Sequence, residues 1–217
     1  MEKKRPGAFI SVEGLDGAGK TSNIRNLENR LAHTDTPHFI ASEYVDSKFC
    51  NSVREALNNQ NPQIDPLAET LGFYLARVEH TQKIIAPYLD SGTLVITDRY
   101  YHTTLAYQSI KLPHEQVLAV HNLVKERLRE PDLVLFYDVP LEVYEHRIRL
   151  RNKDLDRIET RGLEYFSRVR ANFHQLAEND PRFRILDAAA PLEDVFIETQ
   201  RVVDEFLRTF NENHVQS

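Results

Sequence analysis

The stretch Gly14-Leu15-Asp16-Gly17-Ala18-Gly19-Lys20-Thr21 has the spacing G-x-x-x-x-G-K-[ST] of a phosphate-binding loop. Its flanks supply the context that the motif needs. Ala8-Phe9-Ile10-Ser11-Val12 is short, apolar and rich in β-branched residues, which suits a buried strand. After the loop, Ile24, Leu27 and Leu31 recur at helical spacing. Strand, glycine loop and helix in that order let the backbone N–H groups curl toward a phosphate, with the helix dipole adding to the attraction. Gly14 to Thr21, with Ser22 behind them, form the expected cradle for a nucleotide's phosphates. Lys20 is placed to reach the β- and γ-phosphates, and the Thr21 hydroxyl to hold Mg²⁺.

The rest of the chain carries this pattern on. His38-Phe39-Ile40-Ala41, Thr93 to Thr97, Asp132 to Val139 and Phe183 to Asp187 read as further short strands. Helices are expected over Lys48 to Asn58, from an N-cap at Asp65 with Pro66 next to it to about Leu89, and over Pro113 to Arg129. Pro140 opens another, one more runs to about Glu178, and a last one starts near Pro191. Alternation of this kind predicts an α/β fold: three layers, a five-stranded parallel sheet with helices on both faces. Ligands in such sheets bind beyond the carboxyl ends of the strands. The loop, Ser42-Glu43, Asp98-Arg99 and Asp187-Ala188 all fall there.

Size and composition set limits. The 217 residues fit one domain, 41% hydrophobic and 28% charged. A net charge of -6 argues against a nucleic-acid partner, which selects for a basic face. The apolar run near the N-terminus stops at Glu13, too short for a signal peptide or a membrane span, so no membrane partner is expected. The lone Cys50 has no internal disulfide partner, which suits a reducing, cytoplasmic compartment.

A phosphate loop alone allows an ATPase, a GTPase or a kinase. The Asn-Lys-x-Asp sequence that reads guanine in signalling GTPases is absent. Asp98, at a strand end, is a candidate ligand for Mg²⁺, directly or through water. Arg99 beside it offers a fork of donors for a second phosphate. On the long helix Phe73 and Arg77 lie four apart and share a face, so they can stack a base and read its edge, leaving Leu71, Leu75 and Val78 for the other face.

Taken together, these residues resemble the thymidylate kinases, P-loop enzymes that phosphorylate dTMP with ATP. The likeness runs through Phe9 to Thr21, Phe73-Tyr74-Leu75-Ala76-Arg77-Val78, Asp98-Arg99-Tyr100 and Ala106-Tyr107-Gln108. It continues in Pro131-Asp132-Leu133, Asp138-Val139, Asp156-Arg157-Ile158-Glu159 and Ile185-Leu186-Asp187-Ala188. The resemblance implies that Phe73 stacks on thymine, Arg77 donates to its O4, and Thr104 approaches N3 with Gln108 nearby. It implies that Tyr107 closes the space of a ribose 2′-hydroxyl, that Asp16 lies near the 3′-hydroxyl or acceptor phosphate, and that Arg99 binds that phosphate. It also implies a homodimer and a small mobile lid at about residues 147–161, where Arg147, Arg149, Arg151, Lys153 and Arg157 crowd together. Some family members carry an arginine where this chain has Gly17; those without it take the cation from the lid. Arg149 and Arg151 are the first candidates for that catalytic cation, beside Lys20 and Arg99.

Two alternatives stay open. After the second strand the family has Pro-Glu-Arg or Arg-Glu-Pro, and this chain has Ser42-Glu43-Tyr44. A kinase of broader or shifted substrate, such as dUMP, dGMP or a modified pyrimidine nucleotide, is therefore one alternative. A nucleotide-sensing module without transfer activity is the other.

Overall fold

A computed structural model describes residues 6–43, 45–58, 64–150 and 161–215. Five strands form one sheet: β1 (Phe9–Gly14), β2 (His38–Ala41), β3 (Leu94–Asp98), β4 (Leu133–Asp138) and β5 (Phe183–Asp187). Every pairing is parallel, in the order β2-β3-β1-β4-β5. The central strand is the one that runs into the glycine loop, and its residues are buried from end to end.

Period-two alternation sends the two sides of β1 into different cores. Phe9 joins Tyr74, Val95, Tyr100 and Val117 on one face. Ile10 and Val12 join Leu27, Leu31 and Ile96 on the other. Helix α1 (Lys20–Leu31) brings Leu27 and Leu31 to its face, as the spacing of its apolar residues predicts. Glu13 has the parity of Phe9 and so falls on the Phe9 side, a carboxylate in an otherwise apolar strand.

Helices α2 (Lys48–Asn58) and α3 (Pro66–His80) follow β2. The start of α3 matches its sequence signals: Asp65 accepts from the Leu67 and Ala68 amides at 2.9 and 3.2 Å, and Pro66 needs no partner for a missing N–H. The helix then widens into a π-helical turn over Thr81–Ile85 and resumes as α4 (Ala86–Asp90). The single long helix expected from the sequence is thus interrupted within its last third. Thr81 inside the wide turn bonds the Tyr100 hydroxyl at 2.9 Å, so the widening serves a tertiary contact.

Past β3 lies a helix that periodicity does not announce, α5 (Tyr101–Gln108). Apart from Thr103, every one of its residues is buried, so it has no polar face and no amphipathic period. Helices α6 (His114–Val124), α7 (Leu141–Leu150), α8 (Leu163–Asn179) and α9 (Leu192–Val215) complete the order. Helices α1 and α5 both pack on β1, and α8 and α9 on β5. The lid expected at about 147–161 begins in the last turn of α7; Arg151, Lys153, Asp156, Arg157, Ile158 and Glu159 lie outside the described residues.

Candidate active site

The glycines of the loop are there for backbone reasons. Gly17 and Gly19 take φ of 75° and 84°, in the left-handed region where a side chain strains the backbone. A Cβ on Gly14 would come within 2.5 Å of the Tyr137 carbonyl oxygen. The loop therefore lies tight on β4 and then turns into α1, whose N-terminus has no side-chain cap. Its first amides remain open to an anion.

Lys20 is buried, and its Nζ donates to the Leu15 carbonyl at 2.9 Å, across the mouth of the loop. Burial, and then the charge of Arg99, pulls its pKa down from 10.5 to about 8, against the pull of Asp16, Asp98 and Glu13. An incoming anion would restore what the ammonium lost on burial. Thr21 donates its hydroxyl to Asp98 Oδ2 at 3.3 Å. Asp98 Oδ1 is buried with no hydrogen-bond partner among the described residues. A hydroxyl oxygen and an orphaned carboxylate oxygen side by side are hard oxygen donors of the type Mg²⁺ takes, so the pair fits the ion. Among the described residues no group of three or more His, Cys, Asp or Glu could hold a metal by itself.

Arg99 is the one described non-glycine residue with positive φ, at 73°. A residue in that region stores roughly 1–3 kcal/mol of strain and persists where its surroundings over-determine it. Its guanidinium donates through Nη1 to the Gly14 carbonyl at 2.8 Å and to Thr103 Oγ1 at 3.1 Å, and through Nη2 to Asp16 at 2.6 Å. Arg99 thus touches the loop directly. Asp16, Gly17, Gly19, Lys20, Thr21, Ser22, Asp98, Arg99 and Arg147 line one cleft of about 370 Å³. Leu15 and Ala18 are buried beneath it.

A second group of polar side chains adjoins this cleft along α5. Arg77, buried on α3, donates to Thr104 Oγ1 at 2.6 Å. Its other side meets Glu43 at 3.3 and 3.5 Å, and the Tyr100 ring lies 5.6 Å from its guanidinium carbon. One helical turn beyond Thr104 are Tyr107 and Gln108. The Tyr107 hydroxyl and the Gln108 Oε1 are buried with no partner among the described residues. Arg99 sits 5.5 Å over the Tyr107 ring, so Tyr107 links the two groups. Phe73 is partly exposed and belongs to neither core cluster. Leu71 and Leu75, which the sequence reading gives to the face away from Phe73 and Arg77, are exposed.

Two of the expected arginines, Arg147 and Arg149, point to different partners, and Arg151 lies outside the described residues. Arg149 reaches back to Glu145 at 2.6 Å and is 75% exposed. Arg147, which sequence reasoning ranked lower, points to the Gly17 carbonyl at 3.4 Å and lines the cleft. Two residues beside the site escaped the sequence reading. Glu13 and Thr103 bond each other at 2.5 Å, beneath Arg99. The one sequence signal for Glu13 is a charged residue closing a buried strand.

Comparison with known proteins follows the same lines. The family model described as thymidylate kinase matches residues 12–198. A thymidylate kinase of Carboxydothermus hydrogenoformans is 36% identical over 199 residues, covering 88% of this chain and 94% of the relative. One from Mesoplasma florum is 32% identical over 204 residues, covering 91% and 95%. One from Chlamydia caviae is 36% identical over 191 residues, covering 86% and 92%.

Proposed function

The chain belongs to the thymidylate kinase family, and from that premise we propose that it transfers the γ-phosphate of ATP to dTMP, giving dTDP and ADP. The observation that carries the reading is the position of Arg99. It is bonded to the loop at Gly14 and Asp16 on one side and stacked over Tyr107 on the other. In this reading a donor fork between a triphosphate cradle and the polar side chains of Arg77, Thr104 and Gln108 holds the acceptor phosphate.

In this reading Gly14 to Ser22 wrap the triphosphate of ATP, and Lys20 leaves the Leu15 carbonyl for the β- and γ-phosphates. Thr21 and Asp98 would hold Mg²⁺, which would supply charge neutralisation at the phosphates. The nucleophile is an oxygen of the dTMP phosphate, anionic near neutral pH, so the site needs no general base. Arg99 orients that phosphate, with Asp16 beside it toward the 3′-hydroxyl. Phe73 stacks on thymine. Arg77 donates to O4, where the amino group of cytosine would meet donor with donor. Thr104 and Gln108 face N3, and Tyr107 fills the place of a ribose 2′-hydroxyl. The lid cation comes from Arg147, Arg149 or Arg151, and Arg147 faces the loop already. Positioning and charge neutralisation are the catalytic work of such a site.

We place the protein in the cytoplasm, as one domain over residues 1–217 acting as a homodimer. Leu67, Leu71 and Leu75 support the dimer: they stand four apart on α3, 41%, 45% and 55% exposed. No described helix is long and apolar enough to cross a membrane.

A panel of dTMP, dUMP, dGMP and dCMP with ATP, followed by ADP release, tests the reading. We expect dTMP to give the highest kcat/KM. Faster turnover of dUMP or dGMP would move the substrate to the alternative that Ser42-Glu43-Tyr44 raises. Binding of both nucleotides without dTDP would make the protein a sensor.

A further inference from the structure

We propose that Glu13 is a positioning residue for the phosphoryl transfer: through Tyr100 and Thr103 its buried carboxylate fixes both the backbone and the side chain of Arg99. The inference rests on the phosphate-holding role given to Arg99 above. Both polar backbone groups of Arg99 are tied. Its N–H donates to the Val12 carbonyl at 2.9 Å, and its C=O accepts from Thr97 Oγ1 at 3.1 Å. The next amide, Tyr100 N–H, donates to Glu13 Oε1 at 2.9 Å. That bond sets the peptide plane leaving Arg99, and so helps to keep φ at 73°.

The side chain is fixed through Thr103. A hydroxyl has one proton and two lone pairs. Thr103 gives its proton to Glu13 Oε2 at 2.5 Å, so its oxygen meets Arg99 Nη1–H, 3.1 Å away, as an acceptor. The chain of donation runs Arg99 to Thr103 to Glu13. Without the carboxylate the hydroxyl is free to turn its proton toward the guanidinium. The residue after Glu13 is Gly14, whose carbonyl takes the same Nη1 at 2.8 Å. Two consecutive residues thus set the arginine and the start of the loop against one another.

A buried carboxylate costs free energy unless it is paired and bonded. Glu13 is fully buried, and its compensation is specific. His102 lies with Nδ1 3.7 Å from Glu13 and Nε2 3.7 Å from Asp180, itself bonded to Arg182. Burial pushes the Glu13 carboxyl up, and His102, Thr103 and Arg99 more than reverse that. A strand end that needed packing alone would be served by an apolar residue at no such cost.

The test separates positioning from stability. Thr103→Val, Thr103→Ser and Glu13→Gln are compared with wild type for KM of each substrate and for kcat, with thermal melting as a check on folding. We expect Thr103→Val to raise KM for dTMP at least about fivefold and to lower kcat, with KM for ATP within about twofold. Thr103→Ser, which keeps the hydroxyl, should rescue both. Glu13→Gln should move in the same direction as Thr103→Val; should it fail to fold, the two Thr103 variants decide. A Thr103→Val enzyme with unchanged KM for dTMP, or with both KM values raised alike, overturns the inference. Wild-type protein that forms no dTDP overturns the kinase reading and this inference with it, whereas active wild type with unmoved variants overturns the inference alone.

Discussion

At the scale of single residues, the site divides by what each substitution would strand. Phe73 is partly exposed and outside both cores, so Phe73→Ala removes a stacking surface without opening a core cavity. It should weaken dTMP by about 1–3 kcal/mol, or roughly 5- to 150-fold, and leave ATP unchanged; calorimetric titration with each nucleotide checks this. Arg77→Ala differs, because it abandons the buried Glu43 carboxylate. Thermal stability should fall together with dTMP affinity, and Arg77→Ala with Glu43→Gln should recover stability but not affinity. Equal loss for dTMP and ATP would remove Arg77 from the base-reading pocket. Lys20→Ala acts on the other substrate: turnover should drop by about 100-fold or more, measured as dTDP formed.

At the scale of elements, the sequence reveals what is local and conceals what is relational. The loop is legible because glycine and lysine spacing encode backbone shape and charge within eight residues. The strands are legible because parallel strands buried on both faces need apolar, β-branched runs. Helix α5 is not, because burial on all sides erases its period, although it carries Thr104, Tyr107 and Gln108. The π-helical turn at Thr81–Ile85 answers to a tyrosine nineteen residues away. The tie from β1 to α5 joins Glu13 to Tyr100 and Thr103 across 87 and 90 residues, beyond any window of periodicity. That tie has a consequence for stability. Asp180 and Glu13 raise the pKa of His102 above its ordinary 6.5, against burial and the charge of Arg182. Its contribution to stability is then fully present below pH 6.5 and is lost as pH rises through the raised value. Lys20 titrates with the opposite sign, since its pKa is lowered to about 8, so the raw curve mixes both. The difference in melting temperature between wild type and His102→Gln isolates the histidine, and it should shrink as pH rises above neutral. A difference that is flat with pH would show that His102 is not a charged clamp.

At the scale of the whole molecule, α3 faces two ways. Phe73 and Arg77 share one side of the helix, and Leu71 and Leu75 lie about 200° away on the other, by the 100° per residue of an α-helix. The first side meets the polar pocket through Thr104, while the second leaves Leu67, Leu71 and Leu75 at the surface. Three exposed leucines one turn apart on one helix form the kind of apolar stripe that a partner covers. A second copy of the chain is the partner that we propose. If it does, the helix proposed to read the base is also the helix that the dimer braces, and the two properties are coupled. Leu71→Glu with Leu75→Glu should then convert a particle of about twice the 25.2 kDa chain mass into one of chain mass, as sedimentation equilibrium would read it. The same variant should raise KM for dTMP more than KM for ATP, because α3 holds Phe73 and Arg77 but no part of the loop. A wild-type particle of chain mass would end the dimer proposal. A variant that stays paired would move the interface to another face.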